Sequence, residues 1–365
     1  MAELCVKFVS QKISKVRWCP RLKQPMQQSH VFATGSWDDE ENKVCMWHLK
    51  WDTNNSTVLE EEGPQGEPQL LCEAQHAGDV TDMNFLTQEH IAVASSTGTV
   101  VLYHYNAKTQ YIEPVKRWAE LHTSGGTPCP CTCVGTWADD IIVTGGEDGR
   151  ITLLSPGHNA AVRILDKADS CTINGIMFLK QSEIVTVNSY GQLKLFDLRQ
   201  NSDSPVQIFS ATEDHLPLLC VDKHPGQAHI VATGGQDGML TVWDLRQHRF
   251  PMTLLEAHTS SMWEVHFHPY HAEHIFTCSE DGSLWHWDGS ALPSVITMKD
   301  IESGSNNEGH HTPWLGLDAS RNKLEITSIL PSKSLPVNSL NIDGSVLVCG
   351  TDSETIYSVN LPQLG

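Results

Sequence analysis

Three clusters in this 365-residue chain carry side chains that could do chemistry. The runs "TGGEDG" (144–149) and "TGGQDG" (233–238) have the glycine density of a phosphate-cradling loop. Neither continues into the Lys-Ser/Thr that a phosphate loop requires, and Asp148 and Asp237 place a negative charge where the phosphate would sit. "CPCTC" (Cys129, Cys131, Cys133) could line three thiols along one side of a strand, because alternate residues share a face. No CxxC pair or histidine at zinc spacing accompanies it, so ordinary strand cysteines are expected. "HFHPYHAEH" gathers His266, His268, His271 and His274, but His268-Pro269 is echoed by His224-Pro225, which makes part of the cluster a repeated feature. Neither G-x-S-x-G nor H-E-x-x-H occurs. The expectation is a non-enzyme with no catalytic residue, cofactor or metal.

The elements that position these residues recur. "HIVATGGQDGMLTVWDLRQ" (229–247) and "IFTCSEDGSLWHWD" (275–288) share one pattern: an apolar run, a Thr, an acidic or amide residue before Asp-Gly, an alternating strand, then Trp-Asp. Weaker copies lie at 31–49, 91–105, 142–155, 184–200 and 346–360, seven in all. The turn glycines Gly98, Gly149, Gly191, Gly238 and Gly282 are spaced by 51, 42, 47 and 44 residues. Short alternating strands at this period, joined by tight glycine turns, predict an all-β, seven-bladed β-propeller over residues 1–365. The flanks supply further strands: 218–225 and 252–258 around the fifth copy, 262–269 and 323–331 around the sixth. Residues 50–68 read as an acidic surface loop and 289–322 as a long polar insertion in blade six. The seventh copy ends without a fourth strand, and "CVKFVSQ" (5–11) belongs to no blade of its own. That N-terminal strand is therefore expected to complete blade seven and remove the open edge.

Composition narrows the function. The formal charge is −20, from 24 basic and 44 acidic residues. Such a balance counts against gripping nucleic-acid phosphates or an anionic membrane surface. No apolar run of signal or membrane-spanning length occurs, so a soluble intracellular chain is expected. The eleven cysteines, an odd number scattered through apolar runs, fit reduced buried thiols.

These repeats resemble the WD-repeat family of β-propellers. In that family a buried His, Ser/Thr, Asp and Trp pin each blade. The resemblance carries them over as His215, Thr233, Asp237 and Trp243, then as His258, Thr277, Asp281 and Trp287. Blade three keeps His122, Thr144 and Asp148, with Leu154 where Trp would stand. More specifically, "KFVSQKISKVRW", "ATGSWDDEEN", "MWEVHFHP" and "EITSILPSKSLPVNSL" resemble the forty-three-kilodalton WD-repeat nucleoporin family from residue 7 to residue 340. That resemblance implies a non-catalytic scaffold subunit at the nuclear pore in the nuclear envelope. It would be a monomeric propeller docked on a helical-solenoid nucleoporin in the short arm of the Y-shaped complex, and would accompany that complex to kinetochores in mitosis.

Two further segments bear on partners. Trp314, Leu315 and Leu317 stand in an otherwise polar insertion. Either they fold back onto the edge of the blade, or they anchor a partner, as buried tryptophans do at interfaces. The Trp-Asp-x-Arg tetrapeptide at Trp243, Asp244 and Arg246, echoed at Phe196–Arg199, supports a rival reading. WD proteins with this motif can serve as substrate receptors of cullin–RING ubiquitin ligases. The same residues also suit a turn after a third strand.

Overall fold

The computed structural model describes residues 3–21, 30–51, 66–138, 140–210, 214–247, 251–291, 313–314, 324–330 and 335–364. They form seven four-stranded antiparallel sheets, six of them meanders running from the central axis outward and the seventh completed by the N-terminal strand. Blade six shows the plan: Met262–Phe267 innermost, then His274–Ser279, Leu284–Asp288 and Glu325–Ser328. The second and third strands meet at a turn whose Gly282 has φ 80°. Blade five has the same turn at Gly238 (φ 77°), where a Cβ would stand 2.3 Å from the carbonyl oxygen of His258. Both the backbone angle and the close approach of the next blade therefore demand glycine there.

The ring is closed as expected. Glu3–Phe8 forms the outer strand of blade seven, antiparallel to Thr355–Asn360, with Glu3 opposite Asn360 and Phe8 opposite Thr355. The same chain then crosses directly into the inner strand of blade one, Ile13–Trp18. A hairpin that the sequence reading did not foresee, Thr123–Ser124 with Thr127–Pro128, sits in the link between blades two and three. Residues 52–65 of the acidic loop, and 292–312 and 315–323 of the long insertion, lie outside the described residues.

All seven inner strands carry a register shift near their start, for example between Met262 and Glu264 and between Ile173 and Gly175. Bulges re-aim side chains, and here the bulged residues reach the neighbouring blade. Asn174 Nδ2 donates to the Leu218 carbonyl at 2.8 Å, and Asn338 Nδ2 to the Ile13 carbonyl at 2.9 Å. Thr81 and Thr132 make the same kind of bond to the carbonyls of Cys131 and Ile173. Inner-strand backbone groups that no sheet neighbour could satisfy are thus paired across blades. Apolar packing crosses the same boundaries: Val80 of blade two packs with Ala33, Val44 and Met46 of blade one.

Candidate interaction surfaces

The predicted pinning network is complete in blade six. His258 Nε2 and Thr277 Oγ1 are 2.8 Å apart, and Trp287 Nε1 donates to the same hydroxyl at 3.0 Å. His258 Nδ1 meets Ser283 Oγ at 2.8 Å, and Ser283 in turn bonds Asp281. Burial keeps the imidazole neutral, with its pKa pushed down to about 4. Blade three also holds its set, with His122 Nδ1 at 2.9 Å from Asp148 and Nε2 at 2.9 Å from Thr144. Burial opposes the charge on Asp148, but hydrogen bonds from His122 and two backbone amides hold its pKa below the usual value.

Blade five departs from expectation. Trp243 Nε1 does donate to Thr233 Oγ1 at 2.9 Å. His215, however, is exposed at φ 53° and stacks on Tyr190, with ring centroids 4.1 Å apart. Asp237 is also exposed; among the described residues its carboxylate accepts the local bond from Met239 N at 3.1 Å. The two histidines differ by a one-residue offset: His258 stands four residues before its inner strand and His215 three before Leu218, so Asp214, itself exposed, stands at the four-residue position. In blade two the corresponding His76 bonds the hydroxyl of Tyr103 at 3.0 Å, with tyrosine standing in for tryptophan. Blade four replaces the set with Asp169, bonded by Asn188 Nδ2 at 2.8 Å and paired with Lys194 at 2.9 Å.

The axis holds a second network. Glu264, on the inner strand of blade six, pairs with Lys15 at 2.8 Å and Arg17 at 2.9 Å from blade one. It also accepts from Ser339 Oγ and Leu340 N of blade seven, and Arg17 continues to Asp82 of blade two at 3.1 Å. Burial disfavours the Glu264 carboxylate, yet the two cations hold its pKa well below normal. His266 lies 3.7 Å from Asp222 and 3.5 Å from Glu264; burial disfavours its charged form, but these two carboxylates outweigh burial and raise its pKa to about 9. These groups line a channel cavity of about 140 Å³. Each charge there already faces an opposite one, so the channel reads as a seam between blades.

The two faces of the ring differ in charge. One face, here the upper, is built from the turns between second and third strands and the links from each outer strand to the next blade. Its described residues include sixteen acidic and three basic ones. The remaining turns and loops form the lower face, and their described residues include five of each. The densest upper element is the turn 37–41, where Asp38, Asp39, Glu40 and Glu41 follow one another. Such a face attracts basic partners and repels polyanions.

Comparison with known proteins agrees with this architecture. The "WD domain, G-beta repeat" profile matches residues 203–244 and 249–288, the regions of blades five and six. Nucleoporin Nup43 of Homo sapiens is 48% identical over 377 residues, covering 98% of each chain. Nucleoporin Nup43 of Mus musculus is 48% identical over 376 residues with the same coverage. The nuclear pore complex protein nup43 of Dictyostelium discoideum is 27% identical over 147 residues, 40% of this chain and 34% of that protein. The chain belongs to the Nup43 nucleoporin family. It is accordingly a scaffold nucleoporin of the nuclear pore complex.

The remaining sequence candidates can be placed on this Nup43-family ring. Trp314 is fully buried against Leu255, Phe267 and Trp287, and its Nε1 donates to the Ala272 carbonyl at 2.7 Å. It is a core residue where blades five and six meet, which is the fold-back alternative of the two readings and not an anchor presented at the surface. Leu315 and Leu317 lie outside the described residues. In the Trp-Asp-x-Arg segment, Trp243 is buried and Asp244 caps its own turn, accepting from Arg246 N at 3.0 Å. Arg246 folds back on Asp244 at 2.8 Å, as Arg199 does on Asp197 at 2.8 Å. A turn cap accounts for both tetrapeptides. The repeated His-Pro pair has the same kind of role: His268 Nδ1 and His224 Nδ1 each accept backbone N–H groups two and three residues on. Burial raises the thiols of Cys129, Cys131 and Cys133, and none of them joins a metal-holding group among the described residues.

Proposed function

We propose that this nucleoporin is a non-catalytic docking disc that binds a helical-solenoid nucleoporin in the short arm of the Y-shaped complex. Through that complex it would serve pore assembly and nucleocytoplasmic transport, and would follow it to kinetochores in mitosis. The observation that carries this reading is full-length relatedness to Nup43 on a ring whose two faces differ in charge. The pinned blades and the axial ion-pair seam favour a rigid body, and a rigid surface loses little conformational entropy when it docks. An acidic face suits a partner with exposed lysine and arginine and disfavours nucleic acid.

The test is purification of the tagged full-length chain from dividing cells, followed by quantitative mass spectrometry. The reading expects scaffold nucleoporins, including one helical-solenoid protein at near-equal stoichiometry. Recovery of a cullin adaptor without nucleoporins would overturn it.

A further inference from the structure

Where residues 9–11 lead from the N-terminal strand into blade one, they and the side of blade one enclose a cleft of about 250 Å³. Val9, Ile13, Cys45, Trp47 and Leu70 supply its apolar walls. The polar groups beside them already have partners. Trp47 Nε1 donates to Thr34 Oγ1 at 2.8 Å, and Ser36 Oγ to Asn42 at 3.1 Å. Gln11 Nε2 donates to the Glu41 carbonyl at 2.9 Å, and Lys43 pairs with Glu73 at 2.8 Å across the rim. A polar guest would find few unmet hydrogen bonds here, whereas an apolar guest would gain by leaving water. The volume exceeds the roughly 150 Å³ of an apolar cavity that accepts benzene. It is enough for one large aromatic side chain or a pair of aliphatic ones.

The rim adds a charge preference. Asp39 lines the cleft and belongs to the turn 37–41, the most acidic element of the acidic face. The nearby cations are engaged: Lys12 with Asp38 at 2.5 Å and Lys43 with Glu73. Leu70 remains 48% exposed at the mouth, leaving apolar surface for a partner to cover.

We infer that this cleft is a docking pocket for a protein segment that inserts an apolar side chain and carries lysine or arginine beside it. The inserted side chain buries the wall around Trp47 and Leu70, and the flanking cation meets Asp39, Glu40 and Glu41. The inference rests on the scaffold reading above and names the part of the ring that its partner grips.

The experiment uses the full-length tagged chain and three variants, each first checked for an unchanged melting temperature. Leu70→Arg places a cation in the apolar mouth. The triple variant Asp39→Lys, Glu40→Lys, Glu41→Lys reverses the charge of the rim and leaves the apolar walls (Val9, Ile13, Cys45, Trp47, Leu70) unchanged. Leu254→Arg alters a similarly exposed leucine on the outer strand of blade five and serves as control. Recovered scaffold nucleoporins are quantified relative to bait. The first two variants are each expected to lose about tenfold or more, the scale of a lost hot spot, and Leu254→Arg to stay within about twofold of wild type. Wild-type recovery in both the Leu70→Arg and the triple variant would overturn the pocket and leave the scaffold reading standing. Failure of the wild-type chain itself to recover scaffold nucleoporins would overturn the scaffold reading, and the pocket with it.

Discussion

Blades five and six carry the two best copies of the repeat, yet they are held differently. In blade six a histidine, a threonine, a serine, an aspartate and a tryptophan form one connected network. In blade five only the Trp243–Thr233 bond survives, and His215 has turned outward to stack on Tyr190. The inner strands differ as well. Glu264 in blade six ties three blades together, while the equivalent position in blade five is Cys220, whose Sγ sits beside the Met262 carbonyl at 3.6 Å. Matching residue types do not guarantee matching contacts, because one residue more or less in a link moves a side chain from the core to solvent.

The comparison can be broken or sharpened in several ways. The largest effect is expected from removing residues 1–12, which deletes the outer strand of blade seven. That truncation should abolish cooperative thermal unfolding or cause aggregation. Normal melting would mean that the ring does not depend on closure.

Acid should expose the weakness of the better-pinned blade next. His258, His268 and His286 of blade six are each held neutral by burial, with pKa values near 4 against an ordinary value of about 6.5. Their contribution is full above the unfolded value and is lost as pH falls from about 6.5 toward 4, where the unfolded chain binds more protons. Glu264, held low, adds a loss of the same sign below the usual carboxylate range. Melting temperature followed by circular dichroism should therefore fall steeply across that window. A flat profile would contradict the buried-neutral assignment.

At the axis, Glu264→Ala should cost about 3–5 kcal/mol by stranding Lys15 and Arg17 without their shared anion. Cys220→Ala, at the matching position of blade five, should cost clearly less, as a buried small residue without a charge partner. Urea titrations of the two variants compare them directly. The smallest contrast lies in the pinning histidines. His258→Ala should lose about 1–3 kcal/mol because it leaves buried hydrogen-bonding groups unmet, whereas the exposed His215→Ala should stay within about 0.5 kcal/mol. Equal losses would refute the offset.

Much of the ring was legible in the sequence. The period of the turn glycines predicts seven blades, and the leftover strand at the N-terminus predicts the closure, since a missing outer strand at one end needs a spare strand at the other. What stayed hidden was set by neighbours in space. Tyr103 in place of tryptophan, Lys194 paired with Asp169, and Glu264 reaching Lys15 and Arg17 are contacts between residues whose spacing in the chain carries no signature. The misplacement of His215 had a local trace, in that it stands three rather than four residues before its strand. Trp314 admitted two readings in the sequence because it stands in an otherwise polar insertion, whereas its neighbours in space, Leu255, Phe267 and Trp287, make it part of the core.

The central claim, that this ring is a docking subunit of the pore scaffold, is tested most directly by reconstitution. The purified full-length chain is mixed with a purified helical-solenoid nucleoporin of the short arm, and the mass of the eluted species is measured by light scattering. The account predicts one complex containing one copy of each protein. Separate elution of the two at micromolar concentration would contradict it.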